Sequence, residues 1–260
     1  MEYSQNVNII TLRKTIIGSI GFILFILIWT IIYASGIYNS LIIPSPLKIF
    51  NTIIISFIDL VFLRNFGVTL LRMFLAFLIA STIGIILGVL LGYYKILDDS
   101  SKTLIDFLRS IPSITLFPLF ILLFGVNDTS RVLVAVCSAS LFILVNTKYG
   151  VINSKEVRKN LHKLYPLSKI EMFSRVILPE ASPYVFNGLR IGISITTILI
   201  IVTEMLLGTE YGLGHLLTIS LYEFETEMIY SIIIITGILG FLLNLGFNSA
   251  ENKIFHWRSK

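Results

Sequence analysis

The sequence predicts an all-α, polytopic membrane protein with six transmembrane helices, and three observations carry that prediction. Hydrophobic residues make up 55% of the 260 positions, and the mean hydropathy is +0.89. Only 13% of the residues are charged, about half the roughly 25% of an ordinary soluble domain. Finally, the charges are not spread evenly but leave six apolar windows. A water-soluble fold of this size needs more polar side chains to cover itself. The composition therefore disfavours a soluble enzyme, a secreted disulfide scaffold and a disordered tail. A single cysteine, Cys137, leaves no intramolecular disulfide and no multi-cysteine metal site.

Ionisable groups are costly in hydrocarbon, and a helix needs about 20 apolar residues to cross the roughly 30 Å core. Span 1 falls in the 33 uncharged residues between Lys14 and Lys48, with its apolar part at 16–33. Span 2 is the 22-residue gap at 73–94, span 3 the 18 residues at 110–127, and span 4 the 16 at 132–147. Span 5, at 191–203, is short unless it extends back through 184–189 past Arg190. Span 6 is the 23-residue gap at 228–250. The segment 49–63 is apolar but short and contains Asp59, so it reads as an interfacial helix.

Six crossings put both termini on one side of the membrane. With that side cytoplasmic, 16 of the 20 lysines and arginines are cytoplasmic, and only Lys48, Arg64, Arg72 and Arg131 fall outside. The net charge of +5 thus marks sidedness rather than nucleic-acid binding. Arg13-Lys14, an apolar run and Ala34-Ser35-Gly36 imitate a signal peptide, but the run is too long for a typical signal core and reads as an uncleaved anchor. The organisation expected is a cytoplasmic N-terminus at 1–14, a six-span transmembrane domain at 15–250 with a cytoplasmic loop at 148–179, and a cytoplasmic tail at 251–260 in a plasma (inner) membrane protein.

Within span 2, Ala76, Ala80, Gly84, Gly88 and Gly92 recur every fourth residue, placing five small residues on one helix face where another backbone can approach. Helix packing inside one subunit is the plain reading; a subunit interface or a gate surface are the others. The loop between spans 4 and 5 has order of its own. A helix-prone run at 155–164 ends at Pro166, and Ser168-Lys-Ile-Glu171 fits a capping box opening a second short helix at 169–176, which closes before Leu178-Pro179. A solvated loop would not need Leu161, Leu164, Tyr165, Leu167, Ile170, Met172 and Phe173, so the helix pair reads as a docking surface.

Several tracts carry a family resemblance. Arg175-Val-Ile-Leu-Pro179, Pro183-Tyr, Asn187-Gly-Leu-Arg-Ile-Gly192 and Val202-Thr-Glu-Met205 resemble the C-terminal half of ABC-importer permeases. The branch importing sulfonates, taurine, nitrate and thiamine precursors is the most similar. Ile43-Pro-Ser-Pro46, Val68-Thr-Leu-Leu-Arg-Met73, Leu108-Arg-Ser-Ile-Pro112, Pro118-Leu-Phe-Ile-Leu-Leu-Phe-Gly125 and Asn146-Thr-Lys-Tyr-Gly150 agree in order along the N-terminal half. The resemblance implies the fold of a type I ABC-importer permease, and makes the 148–179 loop the one that couples to an ATPase. The family's coupling signature is Glu-Ala-Ala, three residues, Gly, then a late Ile/Val-x-Leu-Pro. Here Asn160-Leu161-His162 stand at Glu-Ala-Ala and Pro166 at Gly, while Val176, Leu178 and Pro179 match the end. The signature positions, with the apolar face and capping serine of the helix pair, make the expected ATPase-coupling residues Asn160, Leu161, Tyr165, Pro166, Leu167, Ser168, Ile170, Phe173, Leu178 and Pro179. The first half of the signature is degenerate, which implies an altered coupling loop.

None of the 17 glycines is followed by lysine, so the chain has no Walker A phosphate loop and cannot itself hydrolyse ATP. It carries no cofactor motif, and His162, His215 and His256 are too scattered to suggest a metal site. Glu204 is the most informative membrane charge. With Met205 it is a candidate for the translocation pathway; otherwise it sits at the outer interface, solvated or capped by neighbouring helix ends. Beyond it, the 208–214 turn is glycine-rich, and Glu223, Glu225 and Glu227 form either an acidic solvated loop or a docking face for an external binding protein. The expected function is that of the transmembrane permease subunit of an ABC importer for a small solute, anionic or organosulfur or nitrogen in type. Its partners would be a cytoplasmic ATPase, an extracytoplasmic substrate-binding protein and a second copy of the chain. The competing readings are an ion-coupled secondary transporter with Glu204 as proton carrier, and a non-transport membrane scaffold.

Overall fold

A computed structural model of the chain describes residues 18, 20–154, 167–206 and 209–255. Among these residues every regular element is helical. Four helices are long and apolar enough to cross a membrane: Leu60–Tyr93, Asp128–Asn153, Ile170–Leu206 and Thr226–Glu251. The pair Lys95–Ser110 and Ser113–Phe124 is long and apolar enough for one more only if taken together, and its two helices meet at 93°, the geometry of a broken span or a re-entrant loop. The apolar helix Ile20–Ala34 is the described part of the first expected span. The chain divides into two compact units, Met1–Asp59 with Ile219–Ile235, and Leu60–Thr218 with Thr236–Lys260.

The smaller unit holds α1 (Ile20–Ala34), α2 (Pro46–Ser56) and the first turns of the last helix, which runs Thr226–Ile254. The Ile43-Pro-Ser-Pro46 tract is a helix start. The Ser45 hydroxyl accepts the Lys48 N–H at 3.3 Å, and Pro46 sits in the first turn, where its missing N–H costs nothing. Trp29 packs against Tyr230 and Phe25, with ring centroids 5.4 and 5.9 Å apart. The Lys48–Glu227 ion pair, at 3.2 Å, is exposed on both sides and adds little to stability. The expected interfacial helix at 49–63 is not one element. It breaks at 57–59, and residues 60–63 open the next helix.

The larger unit is built on α3 (Leu60–Tyr93), α4 (Lys95–Ser110), α5 (Phe117–Phe124), α6 (Asp128–Asn153), α7 (Lys169–Met172) and α8 (Leu178–Leu206). The following elements, α9 (Leu213–Tyr222) and α10 (Thr226–Ile254), contribute to both units. Helices α3, α6 and α8 pack around Met73, Ala76, Val134, Ala135, Leu199 and Ile200, with Phe117 closing the cluster from α5. A helix rises about 1.5 Å per residue, so α3, of 34 residues, is about 50 Å long and extends well beyond the charge-free gap at 73–94.

Two expectations are corrected in this unit. The 110–127 window is not a straight span. Pro112 pushes the preceding residue out of the helical region, and Ile111 is extended at φ −73°, ψ 124°, so α4 stops at Ser110. After a 3₁₀ turn at Ser113–Leu116, the helix in this window is only the eight residues of α5. Gly125 ends it at φ +83°, a left-handed conformation suited to glycine. Nor does the short helix at 169–176 close before Leu178-Pro179. It continues through a π turn at Phe173–Ile177 directly into α8. The ring of Pro179 would crowd the carbonyl four residues back. The wider turn, in which the Leu178 N–H reaches the Phe173 carbonyl, makes room for it. Span 5 does run back past Arg190, as α8, with Pro183 buried inside it.

Candidate functional site

Polar chemistry in the larger unit concentrates at the end of α3 that carries Arg72. This guanidinium is 6% exposed and has five N–H donors to satisfy. Nε and Nη2 donate to Asp128 Oδ1 at 3.1 and 2.7 Å, and Nη2 also donates to Thr209 Oγ1 at 3.0 Å. Nη1 donates to Glu204 Oε1 and to the Tyr211 carbonyl, both at 2.7 Å. All five are used. Glu204, at the C-terminal end of α8, is 2% exposed. Besides Arg72 it takes the Thr69 hydroxyl at 2.9 Å and the Gly214 N–H at 3.0 Å.

The connector after α8 is fastened to the same knot. The Gly212 N–H donates to Asn65 Oδ1 at 2.7 Å and the Leu213 N–H to Thr69 Oγ1 at 2.8 Å. The guanidinium of Arg64 lies 3.7 Å from the Tyr211 ring centroid. Gly212 has φ +141°, and a Cβ there would press into the Glu204 carboxylate, so both backbone and space require glycine. Asp128 is shared between Arg72 and Arg131, whose Nη1 approaches it at 3.2 Å. Two guanidiniums thus balance two carboxylates. An open cavity of about 540 Å³ lies over the knot, lined by Arg72, Asn127, Asp128, Arg131, Glu210 and Tyr211 among others.

Glu204 is therefore capped, by Gly214 at the start of α9 and by Arg72, and is not solvated. Arg72, read from the sequence as an external topology charge, is its counter-ion. The signal available was that an arginine inside an apolar helix needs a carboxylate at its own depth, and Glu204 was the unpaired candidate. Met205, the other pathway candidate, contributes no side chain to the hydrogen bonds of the knot described above and is 37% exposed.

Each glycine of the small-residue face meets α6. A Cβ built on Gly84 would lie 2.7 Å from Ile143 Cβ and 2.8 Å from the Ser140 carbonyl oxygen. For Gly88 the contacts are Thr147 Cβ at 2.6 Å and the Leu144 oxygen at 2.7 Å, and for Gly92 Val151 Cβ at 2.6 Å and the Lys148 oxygen at 2.9 Å. Ala76 and Ala80 are fully buried on the same face. At the far end of this helix pair, Lys148 Nζ bonds Asp98 Oδ1 at 2.6 Å.

Of the coupling-loop residues, Asn160, Leu161, Tyr165 and Pro166 lie outside the described residues. Leu167 is half-buried, and Ile170, at 81% exposure, and Leu178 are exposed. Phe173 and Leu178 bracket the π turn, and Pro179 follows it. The Ser168-x-x-Glu171 capping box is present. Ser168 N–H donates to Glu171 Oε2 at 3.1 Å, and Glu171 N–H donates to Ser168 Oγ at 3.3 Å. Losing a serine cap costs about 1 kcal/mol, so Ser168→Ala should speed amide exchange over 169–172 about 5-fold. Unchanged exchange in a deuterium-exchange measurement would show that the box does not hold α7.

Comparison with known proteins gives one family. The model of the binding-protein-dependent transport system inner membrane component family matches residues 80–254. The bicarbonate transport system permease protein CmpB of Synechococcus elongatus is 29% identical over 236 residues, 86% of this chain and 84% of that protein. The taurine transport system permease protein TauC of Escherichia coli is 24% identical over 255 residues, 96% of this chain and 92% of that protein. Among solved structures, the MetNI methionine ABC transporter in an inward-facing conformation superimposes with a TM-score of 0.61 at 19% identity. That match covers 74% of this chain and 95% of that one.

Proposed function

This chain belongs to the family of binding-protein-dependent transport system inner membrane components, and from that premise we propose that it is the membrane-spanning permease subunit of an ABC importer. The observation that carries the reading is the family match over residues 80–254, which takes in α6, the 148–179 loop and the whole of α8. The permease works as a homodimer, each copy supplying half of the pathway and one coupling loop. The Arg72 knot faces outward, towards a substrate-binding protein that delivers the solute. The 148–179 loop faces the cytoplasm, where an ATPase subunit grips it. Closure of the ATPase pair moves the loop, and the π turn joining α7 to α8 passes that movement into the span.

Glu204 serves this machine as a fastening rather than a ligand. Its carboxylate is enclosed by Arg72, Thr69 and Gly214, which leaves it no open face from which to carry a proton and speaks against the ion-coupled alternative. The solute is a small molecule of the kind the relatives' names describe, such as taurine or bicarbonate.

Capture of the tagged full-length chain tests the reading. A subunit bearing Gly-x-x-x-x-Gly-Lys-Ser/Thr should co-purify. Replacing Tyr165 and Phe173 together by alanine should weaken that capture about 10-fold, the loss of about 1.4 kcal/mol. A purified chain with no such subunit, or capture indifferent to both side chains, would overturn it.

A further inference from the structure

Helix α4 carries charges that its own chain leaves unused. Six of its 16 residues are charged: Lys95, Asp98, Asp99, Lys102, Asp106 and Arg109. Two of them turn towards α6. Asp98 Oδ1 accepts from Lys148 Nζ at 2.6 Å, and Arg109 Cζ lies 5.2 Å from the Phe142 ring centroid. Between them Ile105 is buried against Leu144 and Val145. The other four, Lys95, Asp99, Lys102 and Asp106, are exposed, and among the described residues none uses its side chain in an ion pair or hydrogen bond. Their spacing of four, three and four residues puts them on one helix face. Along that face the signs alternate plus, minus, plus, minus.

A third face of α4 is apolar. Ile96, Leu104 and Phe107 are 84%, 58% and 62% exposed. Tyr93 and Tyr94, also exposed and with ring centroids 5.0 Å apart, stand where α3 gives way to α4. Tyrosines mark the membrane–water boundary. A helix with one apolar and one charged face lies at that boundary, the first face in lipid and the second in water. Nor does α4 run parallel to α6. From Asp98 to Arg109 it advances about 16 Å, while its contacts on α6 move only about 9 Å, from Lys148 to Phe142. It is therefore strongly inclined to that crossing helix. Two copies of a membrane protein share one orientation in the bilayer, so a two-fold axis between them runs along the membrane normal. Such an axis sets an inclined helix end for end against its counterpart.

We propose that the Lys95–Asp99–Lys102–Asp106 face of α4 packs against the same face of a second copy of this chain, antiparallel about the two-fold axis. The inference rests on the permease reading and adds to the homodimer the surface that joins it. Charge complementarity chooses both the partner and the direction. With the axis passing between Asp99 and Lys102, Asp99 meets the partner's Lys102 and Lys95 meets the partner's Asp106, and symmetry repeats each pair. In a parallel arrangement in register, every charge would meet its own like. The face is complementary to itself in the first arrangement and repulsive in the second. Exposed ion pairs are each worth little. The face therefore acts through four at once, and through the like-charge contacts that the wrong arrangement would impose.

The test is a charge swap between two differently tagged full-length copies expressed together, read as the fraction of one copy captured with the other at low salt. Asp99→Lys on both copies sets lysine against lysine beside the axis, and Lys102→Asp on both sets aspartate against aspartate. Each should lower capture about 10-fold. Asp99→Lys on one copy with Lys102→Asp on the other restores opposite charges at both central contacts, and capture should return to within about 2-fold of wild type. A second measurement guards against variants that fail to fold. In a Cys137→Ala background, Lys95→Cys on one copy and Asp106→Cys on the other should be joined by a short bis-maleimide. Lys95→Cys on both copies should not, because the antiparallel arrangement sets those positions about 16 Å apart along the helices. Capture that the single changes do not lower, or that the mixed pair does not recover, would overturn the proposal, as would cross-linking of the two Lys95→Cys copies in preference to the mixed pair. None of these readouts involves the ATPase. A chain that still captures a Walker-bearing subunit while its copies ignore the swap keeps the permease reading and loses this interface.

Discussion

Gly88→Leu will abolish the native packing of the larger unit, and Gly88→Ala will already weaken it. The reason is where the contact falls. A Cβ at this position meets not a flexible side-chain end but Thr147 Cβ at 2.6 Å and the Leu144 backbone oxygen at 2.7 Å. Relief therefore requires α3 and α6 to move apart. That movement cannot stay local, because Gly84 and Gly92 make the same approach one turn to either side. In a membrane there is little hydrophobic gain to hold helices together, so close van der Waals contact between small residues supplies much of the association. Overpacking costs about 1–3 kcal/mol at an ordinary core site, and leucine here should reach or exceed the top of that range. Gly240 on α10, whose Cβ would meet nothing within 4 Å, provides the control. Gly240→Ala should be neutral or stabilising, since alanine is the better helix former. Thermal unfolding in detergent, followed by the loss of the monodisperse peak, should rank Gly88→Leu well below Gly88→Ala and both below Gly240→Ala. Equal midpoints for Gly88→Leu and Gly240→Ala would show that the ridge is not a packing surface.

Features set by neighbours in the chain were the legible ones. The Ser168–Glu171 capping box depends on residues three apart, and the 76–92 ridge on residues four apart, so spacing alone exposed both. Charge-free windows located the long helices for the same reason, since hydropathy is a sum over a local stretch. Direction is not. The 110–127 window is as apolar as a straight span, and only Pro112 carried the information that the chain turns there. The π turn is hidden likewise, because Leu178-Pro179 has the pattern of a stop while a widened turn lets the helix pass. The contacts at the candidate site belong to a third kind. Arg72 and Glu204 are 132 residues apart and meet only because α3 and α8 pack side by side. Sequence offers one membrane charge, Glu204, sets Arg72 just outside the second span, and gives no measure of their separation. The Asn146–Asn187 bond, 41 residues apart, was hidden in the same way, although both asparagines lay in tracts that carry the family resemblance.

The Arg72–Glu204 pair should show the opposite pattern from an exposed ion pair when it is taken apart. Its side chains are 7% and 0% exposed, so removing one partner strands a charge that water cannot reach, a loss of about 3–5 kcal/mol. Glu204→Leu leaves Arg72 with Asp128 but without its buried counter-charge, and it frees the Thr69 hydroxyl and the Gly214 N–H. Arg72→Met leaves Glu204 buried, with only neutral donors, and unpins the Tyr211 carbonyl. Removing both charges together eliminates the uncompensated ion. The double variant Arg72→Met/Glu204→Leu should therefore be more stable than either single variant, and well above the sum of their losses. High salt should change little, because a pair this deeply buried is weakly screened. The same comparison made at Lys48–Glu227, exposed on both sides, should give losses below about 1 kcal/mol and no rescue. If Arg72→Met and Glu204→Leu each unfold at the wild-type temperature, the knot does not fasten α3 to α8. If their effects simply add, the two groups act on stability through separate contacts rather than through one another.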